Sequence, residues 1–307
     1  MVINYDLQLH TELSVQLQTE LVNEADIPVR NAIEKWLEPI FTKTAKDVDL
    51  RFYTVETDEQ KYGIQEVIND NRTSYTFRLP KENYMHLAIA NISGNNHVQA
   101  SGEDHSATMQ LSVSKPKDIS SLNTGVFTAR LPMEVHDSIS QTFEVHLYMV
   151  TSAVALVLDP SDCADIVTLT GRTTGSANGF EVRDSVYTYT ESYSVNMDWL
   201  DIDNTASAPA HKNKPYHAEE FKPRVCLGAV CMPTQDGTDW TVTANATLTD
   251  NRHTTTTLTL KEPLKAGELK IIQCKLDSTG KADPTDTEVG ASVELDWKPG
   301  GNHDIEI

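Results

Sequence analysis

Two histidines flank a short stretch rich in glycine, asparagine and acidic residues, and this stretch contains the residue types that bind zinc. His97 precedes and His105 follows the pair Glu103 and Asp104. Imidazole and carboxylate groups are zinc ligands, so a loop of this composition could assemble a metal site. The alternative is a loop of exposed polar side chains, which the scatter of the other histidines along the chain favours. We therefore predict no metal.

Three aspartates fall close together further along the chain, at Asp198, Asp201 and Asp203. Carboxylate oxygens are the ligands that calcium prefers, and an EF-hand loop would need glycine at its sixth position and glutamate at its twelfth. Counted from Asp201, those positions hold Ala206 and Lys212. The EF-hand pattern therefore fails, and solvated loop carboxylates are the remaining interpretation beside a looser calcium site.

The glycine-rich run from Gly171 to Gly179, GRTTGSANG, looks superficially like a phosphate-binding loop. No Lys-Ser or Lys-Thr pair follows it and no amphipathic helix begins there, so a hairpin or loop is predicted. The chain also lacks a G-x-S-x-G nucleophile elbow, an H-E-x-x-H motif and a G-x-G-x-x-G turn. We therefore expect a protein without enzymatic activity and without a cofactor.

The four cysteines have spacings that favour neither a metal site nor a disulfide framework. They are Cys163, Cys226, Cys231 and Cys274, and no two of them form a C-x-x-C pair. We predict that they are small buried hydrophobic residues.

Aromatic residues suggest a different kind of site. Trp199 with Trp240 or Tyr193 could form a sugar-stacking platform if the rings were exposed and coplanar. A glycan-binding surface lipoprotein is therefore an alternative function, although a core position is the more frequent role of such rings.

The charge balance excludes some partners. Asp and Glu number 45 against 25 Lys and Arg, a formal net charge of −20, which repels nucleic acid and anionic membrane surfaces. The longest apolar run, Val150 to Leu158, is too short to span a bilayer and fits a strand buried on both faces. No leader peptide is recognised at the start of the chain.

The elements that must position these residues are mostly strands. Hydrophobic residues alternate with polar ones from Tyr5 to Leu21, which predicts a strand, with a bend near Thr11 because the segment is unusually long. One amphipathic helix is predicted at about residues 26–45, with Asp26 as its N-cap and Pro39 ending or kinking it. Its apolar face comprises Val29, Ile33, Trp36, Leu37, Ile40 and Phe41.

The rest of the chain alternates between short strands and turns, so the predicted class is all-β. We expect two antiparallel β-sandwich domains. A polar, proline-containing break at Asp159–Asp165 places the boundary between residues 1–160, which include the helix, and residues 161–307.

The C-terminal run ends in strand-like segments on either side of a glycine hinge. Val293, Leu295 and Trp297 alternate with polar residues, KPGG interrupts, and Ile305 and Ile307 resume the period of two. A terminal strand of this kind can pair with the edge of a sheet in another subunit. These five residues are the predicted partner-binding residues, and the alternative is that they complete the second sandwich of a monomer.

At this point the sequence resembles the FimB-type fimbrial anchor (minor fimbrillin) lipoproteins of Bacteroidales fimbriae. The matching segments run through both halves in order: INYDLQLHTELSVQLQTEL, DVDLRFYTVETDE, YMHLAIANISGN, TGVFTARLPMEV, QTFEVHLYM, PLKAGELKIIQCKLDSTG and VELDWKPGG.

The resemblance implies two transthyretin-like domains and a protein held at the outer membrane through a lipid on an upstream cysteine, which this chain lacks. It also implies a fimbrial stalk subunit as the partner, and a role in attaching the fimbria and limiting its length.

Overall fold

The computed structural model describes residues 2–6, 27–40, 44–102, 110–113, 117–136, 141–163, 165–202, 224–284 and 289–292. Most of these residues lie in strands, and the all-β class predicted from the alternation is confirmed. No helix among them is long and apolar enough to cross a membrane.

Helix α1 (Ile27–Leu37) has the predicted apolar face but is shorter than expected. Val29, Ile33 and Leu37 are fully buried. The expected end near residue 45 is wrong, because a turn through Ile40 replaces the helix after Leu37. Pro39 explains the stop, since proline disfavours helical geometry in the residue before it.

Two sheets are built mainly from the first half of the chain. Sheet I has the strand order β10-β1-β4, and sheet II has the order β11-β9-β5-β2-β3. Their bounds are β1 (Val2–Asp6), β2 (Asp47–Thr54), β3 (Gln60–Val67), β4 (Ser74–Arg78), β5 (Asn83–Ala90), β9 (Phe127–Glu134), β10 (Gln141–Glu144) and β11 (Tyr148–Met149).

Two further sheets are built mainly from the second half. Sheet III has the order β17-β18-β12-β21-β22, with β23 also pairing β21, and sheet IV has the order β20-β19-β13-β16-β8. Their bounds are β8 (Asp118–Ser120), β12 (Ser152–Asp159), β13 (Ile166–Thr174), β16 (Ser194–Asn196), β17 (Asp198–Leu200), β18 (Val225–Cys231), β19 (Trp240–Leu248), β20 (His253–Leu260), β21 (Glu268–Leu276), β22 (Ala282–Pro284) and β23 (Val289–Ser292).

A smaller sheet V joins strands from the two halves in the order β15-β14-β7-β6. Its strands are β6 (Val98–Ser101), β7 (Gln110–Val113), β14 (Gly179–Glu181) and β15 (Val186–Thr188). The halves therefore share backbone hydrogen bonds as well as side-chain packing.

The sequence predicted purely antiparallel sheets, but the structure contains three parallel strand pairs. β12 runs parallel to β21, β1 parallel to β10, and β16 parallel to β8. In the case of β12 the parallel pairing agrees with its burial on both faces, because parallel strands usually lie in the interior.

Sheet III is a middle layer with apolar side chains on both faces. Val154 and Leu156 of β12 belong to the core shared with sheet IV. Ala153 and Ala155 of the same strand belong to the core shared with sheet II and α1. The division of the chain at residue 160 stays a prediction. Strand pairing alone would divide it before Ser152, because β12 lies at the centre of sheet III.

Candidate interaction surface

The C-terminal strands β22 and β23 form one edge of sheet III. Both pair antiparallel with β21: Leu276 lies opposite Ala282, and further along the strand Glu268 lies opposite Ser292. β21 is buried along most of its length because it packs between the two cores. The C-terminal segment is therefore carried by a strand fixed in the middle layer, and β23 ends one residue before Val293.

A tight turn holds β22 against β21. The Asp277 carboxylate accepts hydrogen bonds from the backbone N–H groups of Thr279 at 2.8 Å and Lys281 at 3.0 Å. A hydrogen bond from the Thr279 hydroxyl, followed by these two backbone bonds, lowers the pKa of Asp277 because they stabilise its charged form. Gly280 has a φ of +78°, a conformation that glycine adopts without steric cost. The turn thus sets where the final strands begin.

The five predicted partner-binding residues lie outside the described residues. They are Val293, Leu295, Trp297, Ile305 and Ile307. Their role in binding a partner stays a prediction.

The N-terminal strand β1 occupies the middle of sheet I. It pairs antiparallel with β4, where Tyr5 lies opposite Tyr75, and parallel with β10, where Tyr5 lies opposite Phe143. The predicted strand from Tyr5 to Leu21 is described only as far as Asp6, and the expected bend near Thr11 lies outside the described residues. A terminal segment therefore joins two strands that come from distant parts of the chain.

Trp240 and Tyr193 occupy core positions, the more frequent role of such rings, and form no exposed platform for a glycan. Trp240 is 1% exposed, and its indole N–H donates a 2.7 Å hydrogen bond to the Glu262 carbonyl. Tyr193 is buried too and its hydroxyl donates to the Ala177 carbonyl at 2.8 Å, while burial raises its pKa. Trp199 is half-buried and packs against the same core as Trp240. These rings fill the space between sheets III and IV.

The possible metal sites find no support in the described part of the chain. His97 places its Nε2 at 3.1 Å from the Ser120 hydroxyl, while Glu103, Asp104 and His105 lie outside the described residues. Asp203 lies outside them as well. Among the residues that the structure describes, no group of three or more His, Cys, Asp or Glu side chains is arranged to hold a metal ion.

The four cysteines are free and buried, as predicted. Burial raises the pKa of Cys226 and Cys231, and that of Cys274 to about 12, because the thiolate would lose its hydration. They therefore remain protonated at neutral pH and pack as hydrophobic side chains.

The run from Gly171 to Gly179 is the end of β13 followed by a turn into β14, which confirms the predicted loop. Gly175 has a φ of +90°, and a Cβ there would lie 2.7 Å from the Cβ of Trp240. Ser176 bridges to Thr234, so the segment is fixed against its neighbours. Close packing against Met197 and Trp240 accounts for Gly171 and Gly175.

A buried histidine was missed by the sequence analysis. His86 of β5 is 0% exposed and stacks on Phe52, with ring centroids 4.5 Å apart. Its neighbours Leu87, Ala88 and Ile89 are all buried, so this half of β5 is covered on both faces. The unbroken apolar run after His86 was the signal that could have revealed it.

Comparison with known proteins gives likenesses of structure only. No family model matches the chain, and no curated protein matches its sequence. A candidate adhesin from Bacteroides thetaiotaomicron is similar, with a TM-score of 0.52 and 11% identity over 82% of this chain and 91% of that one. The chain has the fold of this Bacteroides protein. A candidate polysaccharide-binding protein of the same organism has the same TM-score and identity, over 82% and 93% of the two chains.

The fimbrial anchor protein Mfa2 from Porphyromonas gingivalis is also similar, with a TM-score of 0.47 and 10% identity over 83% of this chain and 90% of that one. The all-β fold that the sequence resemblance implied is shared with the two Bacteroides thetaiotaomicron proteins.

Proposed function

We propose that the chain is a non-enzymatic cell-surface fimbrial subunit that anchors a fimbria at the outer membrane and limits its length. The fold supports a place at the cell surface, because candidate adhesins from Bacteroides thetaiotaomicron and Bacteroides ovatus share it. Their TM-scores are 0.52 and 0.51. The anchor role rests on the sequence resemblance described above. A lipid on an upstream cysteine would hold the subunit at the membrane.

The observation that carries the proposal is the position of β23 at an edge of sheet III. Within the described residues, β23 pairs with β21 and with no other strand. No described strand covers its other edge, and in this proposal a strand of a neighbouring subunit pairs there; the alternating segment that begins at Val293 follows directly. Main-chain hydrogen bonds would supply the joint, and alternate side chains would fill pockets in the partner.

Burial of apolar side chains would stabilise the proposed contact between subunits. Burying three or four of Val293, Leu295, Trp297, Ile305 and Ile307 contributes roughly 1.5 to 3 kcal/mol each before ordering costs. The partner in this proposal is the fimbrial stalk subunit, and no catalytic residue is needed.

Deleting the gene for this chain tests the anchor role. We expect long fimbriae to be shed, so the ratio of fimbrial protein in the medium to that on cells should rise and fibre length in electron micrographs should increase. Cells that keep fimbriae of unchanged length and amount, but lose binding to polysaccharide, would instead indicate the alternative glycan-binding function.

A further inference from the structure

The solvent-facing side of sheet IV carries a regular array of hydroxyl groups. Along β13, β19 and β20, inward residues fill the core and alternate residues point outward. We define the threonine face as the twelve residues on this side of the three strands: Thr168, Thr170, Arg172, Thr174, Thr241, Thr243, Asn245, Thr247, His253, Thr255, Thr257 and Thr259. Thr243 is itself buried between its neighbours, and the other eleven are exposed or half-buried. Nine of the twelve are threonine, and none is acidic although the chain has 45 acidic residues.

The strand register sets these residues in four rows across three strands. The rows are Thr174–Thr241–Thr259, Arg172–Thr243–Thr257, Thr170–Asn245–Thr255 and Thr168–Thr247–His253. With strands about 4.8 Å apart and outward residues about 6.8 Å apart along each strand, the face measures roughly 10 by 20 Å. Ser194 and Asn196 of β16 extend two of the rows to a fourth strand.

Side-chain hydrogen bonds between neighbouring strands hold the array in place. These are Thr174 Oγ1 to Thr241 Oγ1 at 2.7 Å, Thr255 Oγ1 to Asn245 Oδ1 at 2.9 Å, Thr247 Oγ1 to His253 Nδ1 at 3.0 Å, and two of 3.5 Å, Asn245 Nδ2 to Thr170 Oγ1 and Thr243 Oγ1 to Thr257 Oγ1. Each hydroxyl has one donor and two acceptor sites, so it keeps hydrogen-bonding capacity beyond these contacts. β-Branched side chains are also stiff about χ1, so little entropy is lost when a ligand binds.

We propose that the threonine face binds a neutral polysaccharide. A sugar hydroxyl both donates and accepts, which matches a surface whose hydroxyls do the same. The charge pattern selects the same ligand: the face has no carboxylates and one guanidinium, Arg172, while the net charge of −20 repels polyanions such as nucleic acids or acidic glycans. Protein partners usually need apolar or aromatic anchors, which this face lacks.

The proposed site differs in position and chemistry from the strand joint. It lies on the outer face of sheet IV, whereas β23 is at the edge of sheet III. The inference therefore does not depend on the anchor function, and loss of one activity would leave the other intact.

Affinity gel electrophoresis of the full chain in gels containing dextran, mannan or xylan tests the proposal, with alginate as an anionic comparison. The test variant is Thr170→Val/Thr255→Val/Thr257→Val, which removes three exposed hydroxyls and keeps the β-branched shape. A serine triple variant at the same positions keeps the hydroxyls. A matched control, Thr76→Val/Thr142→Val/Thr188→Val, changes exposed strand threonines on other sheets.

We expect at least one neutral polymer, but not alginate, to retard the chain. The valine variant should bind about tenfold or more weakly, because each lost hydrogen bond has a modest net value and three are removed. The serine variant and the control should bind like the original chain. No retardation by any neutral polymer, or equal binding by the valine variant, would overturn the proposal.

Discussion

His86 is a neutral histidine in the interior of the protein. Its burial makes the free energy of unfolding depend on pH. Its Nδ1–H donates a 2.9 Å hydrogen bond to the Arg51 carbonyl oxygen, and its ring lies against Phe52. Burial lowers its pKa from 6.5 to about 3, since the charged imidazolium would lose its hydration there. The folded chain therefore holds His86 neutral at a pH where the unfolded chain protonates it.

The direction of the pH dependence follows from this shift. Above pH 6.5 the histidine is neutral in both states, and between 6.5 and about 3 only the unfolded state binds the proton. We expect the contribution of this residue to lower the free energy of unfolding through this range by up to about 1.4 kcal/mol per pH unit.

Urea denaturation from pH 7 to 4.5 measures the slope of the free energy of unfolding against pH. His86→Asn should flatten it, whereas replacing exposed His146 by Asn should not; equal slopes in all three proteins would contradict the account.

Asn95 holds two loops together through a buried amide. Its Nδ2 donates to the carbonyl oxygens of Asn91 at 3.0 Å and Thr124 at 3.1 Å, and its Oδ1 accepts from the N–H groups of Asn123 and Thr124. Asn95→Ala removes these four hydrogen bonds, and the Asn91 carbonyl keeps one from the Thr124 hydroxyl. We expect a loss of about 2–4 kcal/mol in the free energy of unfolding.

The neighbouring variant Asn123→Ala is the control for that experiment. Its side-chain amide is exposed and donates one hydrogen bond, to the Gly94 carbonyl. Chemical denaturation should show a loss below about 1 kcal/mol for this change. Equal losses for the two variants would show that the buried position of Asn95 is unimportant.

At the scale of elements, the contact between α1 and sheet III depends on a glycine. A Cβ on Gly228 of β18 would lie 2.8 Å from Cζ2 of Trp36, which is closer than side chains pack. We expect Gly228→Ala to destabilise the chain by about 1–3 kcal/mol through overpacking. In a Trp36→Ala background the same change should cost little or even stabilise, because the added methyl group then has room.

A double-mutant cycle by urea denaturation measures this coupling between helix and sheet. Gly94→Ala is a suitable comparison, because a Cβ there would make contacts of 3.4 and 3.5 Å with Thr124. If Gly228→Ala cost the same with and without the Trp36 ring, the proposed close packing would be absent.

Alternation in the sequence predicted which residues of a strand face the core, but it could not predict which strands pair. Val145, Leu147 and Met149 are buried and His146 is exposed, as the alternation indicates, although residues 145–147 lie between β10 and β11. The same pattern could not show that β12 pairs in parallel with β21, or that β1 lies between β4 and β10. Periodicity reports burial of a face, whereas pairing depends on contacts between distant segments.

The threonine face was overlooked for a related reason. The alternation of Trp240, Val242 and Ala244 indicates a strand with one buried face, but it assigns no role to the residues between them. Thr241 and Thr243 form an array only when β13 and β20 lie alongside in register. The residue types were visible in the sequence, but their arrangement in rows required the sheet.

At the scale of the whole molecule, both ends of the described chain are strands that add to sheets begun elsewhere. β1 lies between β4 and β10, and β23 lies beside β21. Sheet III in turn is covered by apolar side chains on both faces. In the proposed joint, this middle layer would be the base from which the segment after Ser292 pairs with a neighbouring subunit.

The most direct test of this account uses the alternation of the C-terminal segment itself. In a strain lacking the gene, one would express either Leu295→Ser/Trp297→Ser, which alters the apolar positions, or Glu294→Ser/Asp296→Ser, which alters the intervening polar ones. The fraction of fimbrial protein that stays on the cells is then measured for each. The account predicts that the first variant releases the fimbriae into the medium while the second retains them like the original chain; full retention by the first variant would contradict it.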